Sequence, residues 1–182
     1  MYRLVALDVD GTLLDPSHNL TPGTRAALLT AQSRGATICL ATGKLLASVQ
    51  PLLADLGLGG AHVTCNGAAL MDAASGAPLA QWPLAPIERT AALAAIRAAD
   101  PDMAIAWYTA DAIYTDAAPG PLDAILAAYH EPPARHVAAL DDPLAPPLKF
   151  LMTGDEARLL ALRDSLLARI GEQMTVVRTT GD

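Results

Sequence analysis

The sequence predicts an α/β fold: a parallel sheet flanked by helices, followed by a smaller α+β segment. Three observations predict it. Short apolar runs alternate with helical stretches through the first eighty residues, the pattern of strands buried on both faces of a parallel sheet. After Trp82 the order becomes helix, two strands, helix, strand, helix, strand, an α+β arrangement. Asp8-Val9-Asp10-Gly11-Thr12-Leu13-Leu14 directly follows the first apolar run. It sets two carboxylates at the carboxyl end of a strand, where open α/β sheets place their ligands. With 182 residues, 52% hydrophobic and 17% charged, the chain is long enough and apolar enough to bury a core.

The elements follow in order. Tyr2 to Leu7 is a short apolar run that ends at a carboxylate. Thr21 to Arg34 opens with a Thr cap and an early Pro, and Gly35 closes it, so it reads as a helix. Ala36 to Ala41 is a buried strand followed by Thr42-Gly43. Lys44 to Leu56 reads as a helix that Pro51 kinks or restarts. His62 to Cys65 is a third strand. Ala68 to Met71 and Pro78 to Trp82 flank the Ser75-Gly76 turn as a hairpin. Beyond a boundary near Gln81 to Pro86, Ile87 to Ala99 is an alanine-rich helix, and Met103 to Tyr108 with Ala112 to Tyr114 is a hairpin. Pro121 to Tyr129 is a helix, and His130 to Pro147 is a proline-rich connection. Leu148 to Met152 is a strand, Asp155 to Ile170 a helix, and Met174 to Arg178 a last strand.

Composition excludes several classes. Lys+Arg 12 against Asp+Glu 19 gives a net charge of −7. With no basic stripe to displace counterions, nucleic acid is not an expected partner. The apolar runs are broken well before ~18 residues, so no membrane span is expected. Asp8 interrupts the N-terminal run too early for a signal peptide. Cys39 and Cys65 lie in strand-like runs outside any Cys-x-x-Cys pair, and read as buried thiols of a cytoplasmic protein. His18, His62, His130 and His136 lack metal-ligand spacing. Gly57-Leu58-Gly59-Gly60 reads as a loop, Trp107-Tyr108 as core, Asp141-Asp142 as a solvated turn and Lys149 as a strand lysine with an exposed head.

Asp-x-Asp-Gly-Thr after an N-terminal strand resembles the haloacid dehalogenase-like superfamily. Ala41-Thr42-Gly43-Lys44 after the second strand and Asn66-Gly67-Ala68 after the third extend the resemblance to its Cof-type branch, subfamily IIB. The resemblance implies a Rossmann-like core with an inserted α+β cap: residues 1–82 the first half of the core, 83–178 the cap, 179–182 the start of the return. It implies a Mg²⁺-dependent phosphatase acting on a small phosphorylated metabolite. Asp8 would be the nucleophile that forms an aspartyl-phosphate, and Asp10 the general acid and then base. Asp8 and the backbone carbonyl of Asp10 would be metal ligands. Thr42, Gly43, Lys44 and Asn66 would bind phosphate or substrate.

Two departures stand out. Lys44 occupies a position that is usually Arg in this branch, so charge is kept and the bidentate fork is lost. The family's later lysine and its Gly-Asp-x-x-x-Asp motif have no counterpart before Thr179-Thr180-Gly181-Asp182. The expectation is therefore a core incomplete in its C-terminal half, poorly active, with an edge through which it forms a homodimer. The rival expectations are a catalytically dead phosphate-binding module and a phospho-accepting signalling domain. Gly11-Thr12 and the segment after Trp82 argue against the second rival.

Overall fold

The computed structural model describes residues 2–140, 145–172 and 174–177. The chain divides into two units, Met1–Trp82 and Pro83–Asp182. In the first, β1 (Leu4–Leu7) pairs in parallel with β2 (Thr37–Leu40), Leu4 opposite Thr37 and Leu7 opposite Leu40. A parallel pair needs a crossover, which α1 (Pro22–Ser33) provides. Thr21 starts that helix, its Oγ1 accepting from the Thr24 N–H at 3.2 Å. Pro22 fills the first turn, where a missing N–H breaks no bond.

The second crossover, α2 (Leu46–Leu56), runs through Pro51 as one helix. It leads to β3 (Ala61–Thr64), which meets the end of β2 through a parallel bridge between Ala41 and Val63. β3 then pairs antiparallel with β4 (Ala69–Asp72), and β4 with β5 (Pro78–Gln81). Asp72 holds the β4–β5 turn: its Oδ2 accepts from Ser75 N–H at 2.9 Å and Ser75 Oγ–H at 2.6 Å. Ile38, Cys39 and Leu40 on β2 are buried. Among the described residues β1 pairs along one edge only, and Leu4 is 60% exposed.

The second unit holds α3 (Pro86–Ala99), β6 (Ile105–Tyr108), β7 (Ile113–Thr115), α4 (Pro121–Ala128), β8 (Arg135–His136), β9 (Lys149–Met152) and α5 (Glu156–Ile170). Its sheet runs β8-β7-β6-β9, with β6 antiparallel to both neighbours and β7 parallel to β8. Ala92 and Ile96 of α3 and Leu162 and Leu166 of α5 share one buried cluster with Ile105 and Trp107. Trp107 is fully buried, meets Phe150 edge-on at 5.5 Å and donates its indole N–H to the Ala145 carbonyl at 3.0 Å. Lys149 does not simply extend into solvent; its Nζ lies 4.2 Å from the centre of the Tyr108 ring.

Two expectations need correction. Met174–Val177 forms no strand; Met174 N–H instead donates to the Ile170 carbonyl, continuing the wrap of the α5 terminus. The proline-rich connection contains β8, a two-residue strand paired through Tyr114–Arg135 and Thr115–His136. Asp141-Asp142, Arg178 and Thr179–Asp182 lie outside the described residues. No helix among the described residues is long and apolar enough to cross a membrane.

Candidate active site

The carboxyl ends of β1, β2 and β3 meet in the first unit, and each feeds a polar loop. Chain direction explains the convergence: parallel strands deliver their following residues to the same end of the sheet. After β1, Asp8 stays extended and its Oδ1 accepts from the Val9 N–H at 2.8 Å. A single wide turn follows, closed by Leu14 N–H donating to the Val9 carbonyl at 2.9 Å. Gly11 makes the turn at φ +70°, where a side chain would be strained although space is open around it. Val9 and Leu13 are buried and anchor the turn.

After β2, Ala41 N–H donates to the Leu7 carbonyl at 2.8 Å, so Ala41 continues the register beside Asp8 and Thr42 follows it. Thr42 is 4% exposed, its N–H donates to the Val63 carbonyl at 3.0 Å, and its Oγ1 accepts from the Lys44 N–H at 3.2 Å. After β3, Cys65 and Asn66 both adopt left-handed backbone, at φ 51° and 58°. That geometry turns Cys65 N–H onto the Lys44 carbonyl (3.0 Å) and Asn66 N–H onto the Thr42 carbonyl (3.1 Å). The Asn66 side chain lies against Gly43: a Cβ there would come 3.1 Å from both amide heteroatoms.

Lys44 joins this strand-end layer to the first turn. Its side chain is only 10% exposed, and its Nζ lies 3.1 Å from Asp10 Oδ1. His18 Nδ1 approaches the same oxygen at 3.4 Å. That oxygen is out of reach of solvent and neither approach has hydrogen-bond geometry, so the Lys44 contact is an ion pair and the His18 contact a close polar approach. The structure thus brings Lys44 to Asp10, and Thr42 and Gly43 to Asn66. His18 is the residue that sequence reasoning missed. Asp15 Oδ1 accepts from Ser17 and Asn19 N–H groups, both at 2.9 Å, and the turn this makes carries His18 at φ 57°. Asp15-Pro16-Ser17-His18-Asn19 signals a turn, but nothing in it signals the return to Asp10.

Among the described residues no group of three or more His, Cys, Asp or Glu side chains gathers as a metal site. The donors that are present are hard oxygens, the Asp8 carboxylate and the Asp10 backbone. That chemistry fits magnesium, which commonly takes one or two carboxylates and completes its shell with water and phosphate.

A family model described as haloacid dehalogenase-like hydrolase matches residues 5–182. The chain belongs to that family. The HMP-PP phosphatase of Serratia proteamaculans is 44% identical over 72 residues, 40% of this chain and 26% of that protein. A haloacid dehalogenase-like hydrolase structure from Bacteroides thetaiotaomicron has a TM-score of 0.83 at 24% identity, covering 99% of this chain and 68% of that one. The subclass IIB sugar phosphatase BT4131 has a TM-score of 0.53 at 25% identity, covering 62% of this chain and 43% of that one. The match to the curated relative thus spans about a quarter of that relative's length. These haloacid dehalogenase-like structures share the α/β architecture expected from the sequence.

Proposed function

We propose that the site is that of a phosphatase acting on a small phosphorylated metabolite. The observation that carries this reading is the pairing of Asp8 and Asp10 on one strand-end turn, with the buried Lys44 ammonium 3.1 Å from Asp10 Oδ1. Asp8 attacks phosphorus in line; the new carboxylate O–P bond forms as the ester P–O bond breaks. The departing alkoxide takes a proton from protonated Asp10 and leaves as the alcohol. Asp10, now a carboxylate, removes a proton from water, whose oxygen attacks phosphorus and releases inorganic phosphate from Asp8. The Thr42 hydroxyl and nearby N–H groups hold phosphoryl oxygens, and Asn66 braces the Gly43 backbone beneath them. Asp8 and the Asp10 carbonyl would hold Mg²⁺, which when bound offsets repulsion between carboxylate and phosphate.

The substrate class follows two similar proteins, an HMP-PP phosphatase and a sugar phosphatase. Two buried thiols, Cys39 and Cys65, neither of them in a disulfide, support a cytoplasmic setting. The test is hydrolysis of p-nitrophenyl phosphate with Mg²⁺, beside trapping of a BeF₃⁻ adduct. Turnover is expected to fall at least ~10³-fold in Asp8→Asn, and the adduct to map to Asp8. Turnover that survives Asp8→Asn would overturn the mechanism. An adduct on Asp8 without turnover in the wild type would make the site a phosphate-binding module instead.

A further inference from the structure

Lys44 is held where a lysine is costly to keep. An ammonium leaves water at a penalty of several kcal/mol unless a counter-charge receives it. The backbone on both sides of it is tied down, by Thr42 Oγ1 at its N–H and by Cys65 N–H at its carbonyl. The side chain is therefore aimed by the fold, and its charge falls on Asp10 Oδ1. Asp8 and Asp10 are one residue apart on the same turn and repel each other when both are ionised.

We infer that Lys44 is the resident counter-ion of this carboxylate pair, a positioning residue that keeps Asp10 in place before metal arrives and weakens Mg²⁺ binding by like-charge repulsion. The inference rests on the reading of Asp8 and Asp10 as a magnesium-binding phosphatase turn. In that setting the site is assembled without metal, and the divalent ion must compete with a charge already there. Arginine would carry the same charge, whereas methionine fills the space without it.

The chain has two lysines, Lys44 and Lys149, so lysine labelled with ¹³C yields two side-chain signals. Lys149→Arg assigns them, and Lys149 on its Tyr108 ring serves as the internal control. Added Mg²⁺ is expected to move the Lys44 signal and leave that of Lys149. Calorimetric titration with MgCl₂ alone is expected to show Lys44→Met binding at least ~10-fold more tightly than wild type and Lys44→Arg within about threefold of it. Should Lys44→Met fail to fold, Lys44→Gln gives the same titration without the charge, and in Asp10→Asn the Lys44 signal must shift before any metal is added. Magnesium affinity in Lys44→Met equal to or weaker than wild type, or a Lys44 signal unmoved at saturation, would overturn the inference and leave the phosphatase reading standing. Metal bound by neither wild type nor Lys44→Met would remove the inference and the magnesium part of that reading together.

Discussion

A side chain at Gly43 would be tightly placed. The nearest obstacle is not backbone but the Asn66 amide, 3.1 Å from the position of a Cβ. Since φ at Gly43 is not in the left-handed region, the constraint is contact and not backbone strain. Gly43→Ala should therefore destabilise the fold by about 1–3 kcal/mol, the usual cost of overpacking, as read from urea midpoints. Adding Asn66→Ala should remove most of that cost, because the obstacle is gone. Additive costs in the double variant would show that the two residues do not touch in solution.

His62 shows how one residue ties two elements together. Its ring is fully buried on β3, and its Nδ1 accepts from the Leu40 N–H of β2 at 3.0 Å. It adds a side-chain bond between the two strands beside the Ala41–Val63 bridge. Burial holds its pKa below the ordinary value, against smaller opposing effects of the Gly59 backbone and Asp72. Between the folded and unfolded pKa values the unfolded chain binds a proton that the folded chain refuses. Stability should thus be full above about pH 6.5 and decline as pH falls toward the depressed folded value. Thermal unfolding between about pH 7.5 and 5 should show this slope. His62→Asn, which keeps an acceptor for Leu40, should flatten it; an unchanged slope would assign the titration to another group.

At the scale of the molecule the sheets differ in how they protect their strands. β6 is buried at every residue and paired on both edges, by β7 and β9. β1 alternates between exposed and half-buried residues and pairs only with β2 among the described strands. Local opening free energy tracks burial and pairing. Amides of Ile105–Tyr108 should exchange at least ~100-fold more slowly than those of Leu4–Leu7 by hydrogen–deuterium exchange. Equal protection would mean that β1 is covered in solution.

Much of this architecture was legible in the chain itself. Apolar runs ending at Asp8, Thr42 and Asn66 marked three strand ends, because a buried strand must be apolar and must stop where polarity begins. Thr21 and Asp155 marked helix starts because their side chains accept the first orphan N–H groups, as they do from Thr24 and Arg158. The candidate acids were legible because their pattern is local: two carboxylates and a glycine within four residues. What local pattern does not carry is long-range approach. His18 and Lys44 are polar residues with no periodicity to report on, and they reach Asp10 only because a turn and a parallel strand bring them there. β8 escaped for the same reason, since two residues cannot display an alternation and their pairing is decided by β7. The sequence by itself determined which residues could form strands, caps and acids. Tertiary structure alone decided that a buried ammonium faces one of those acids, because the partner of a charge is set by chain topology and not by its neighbours in sequence.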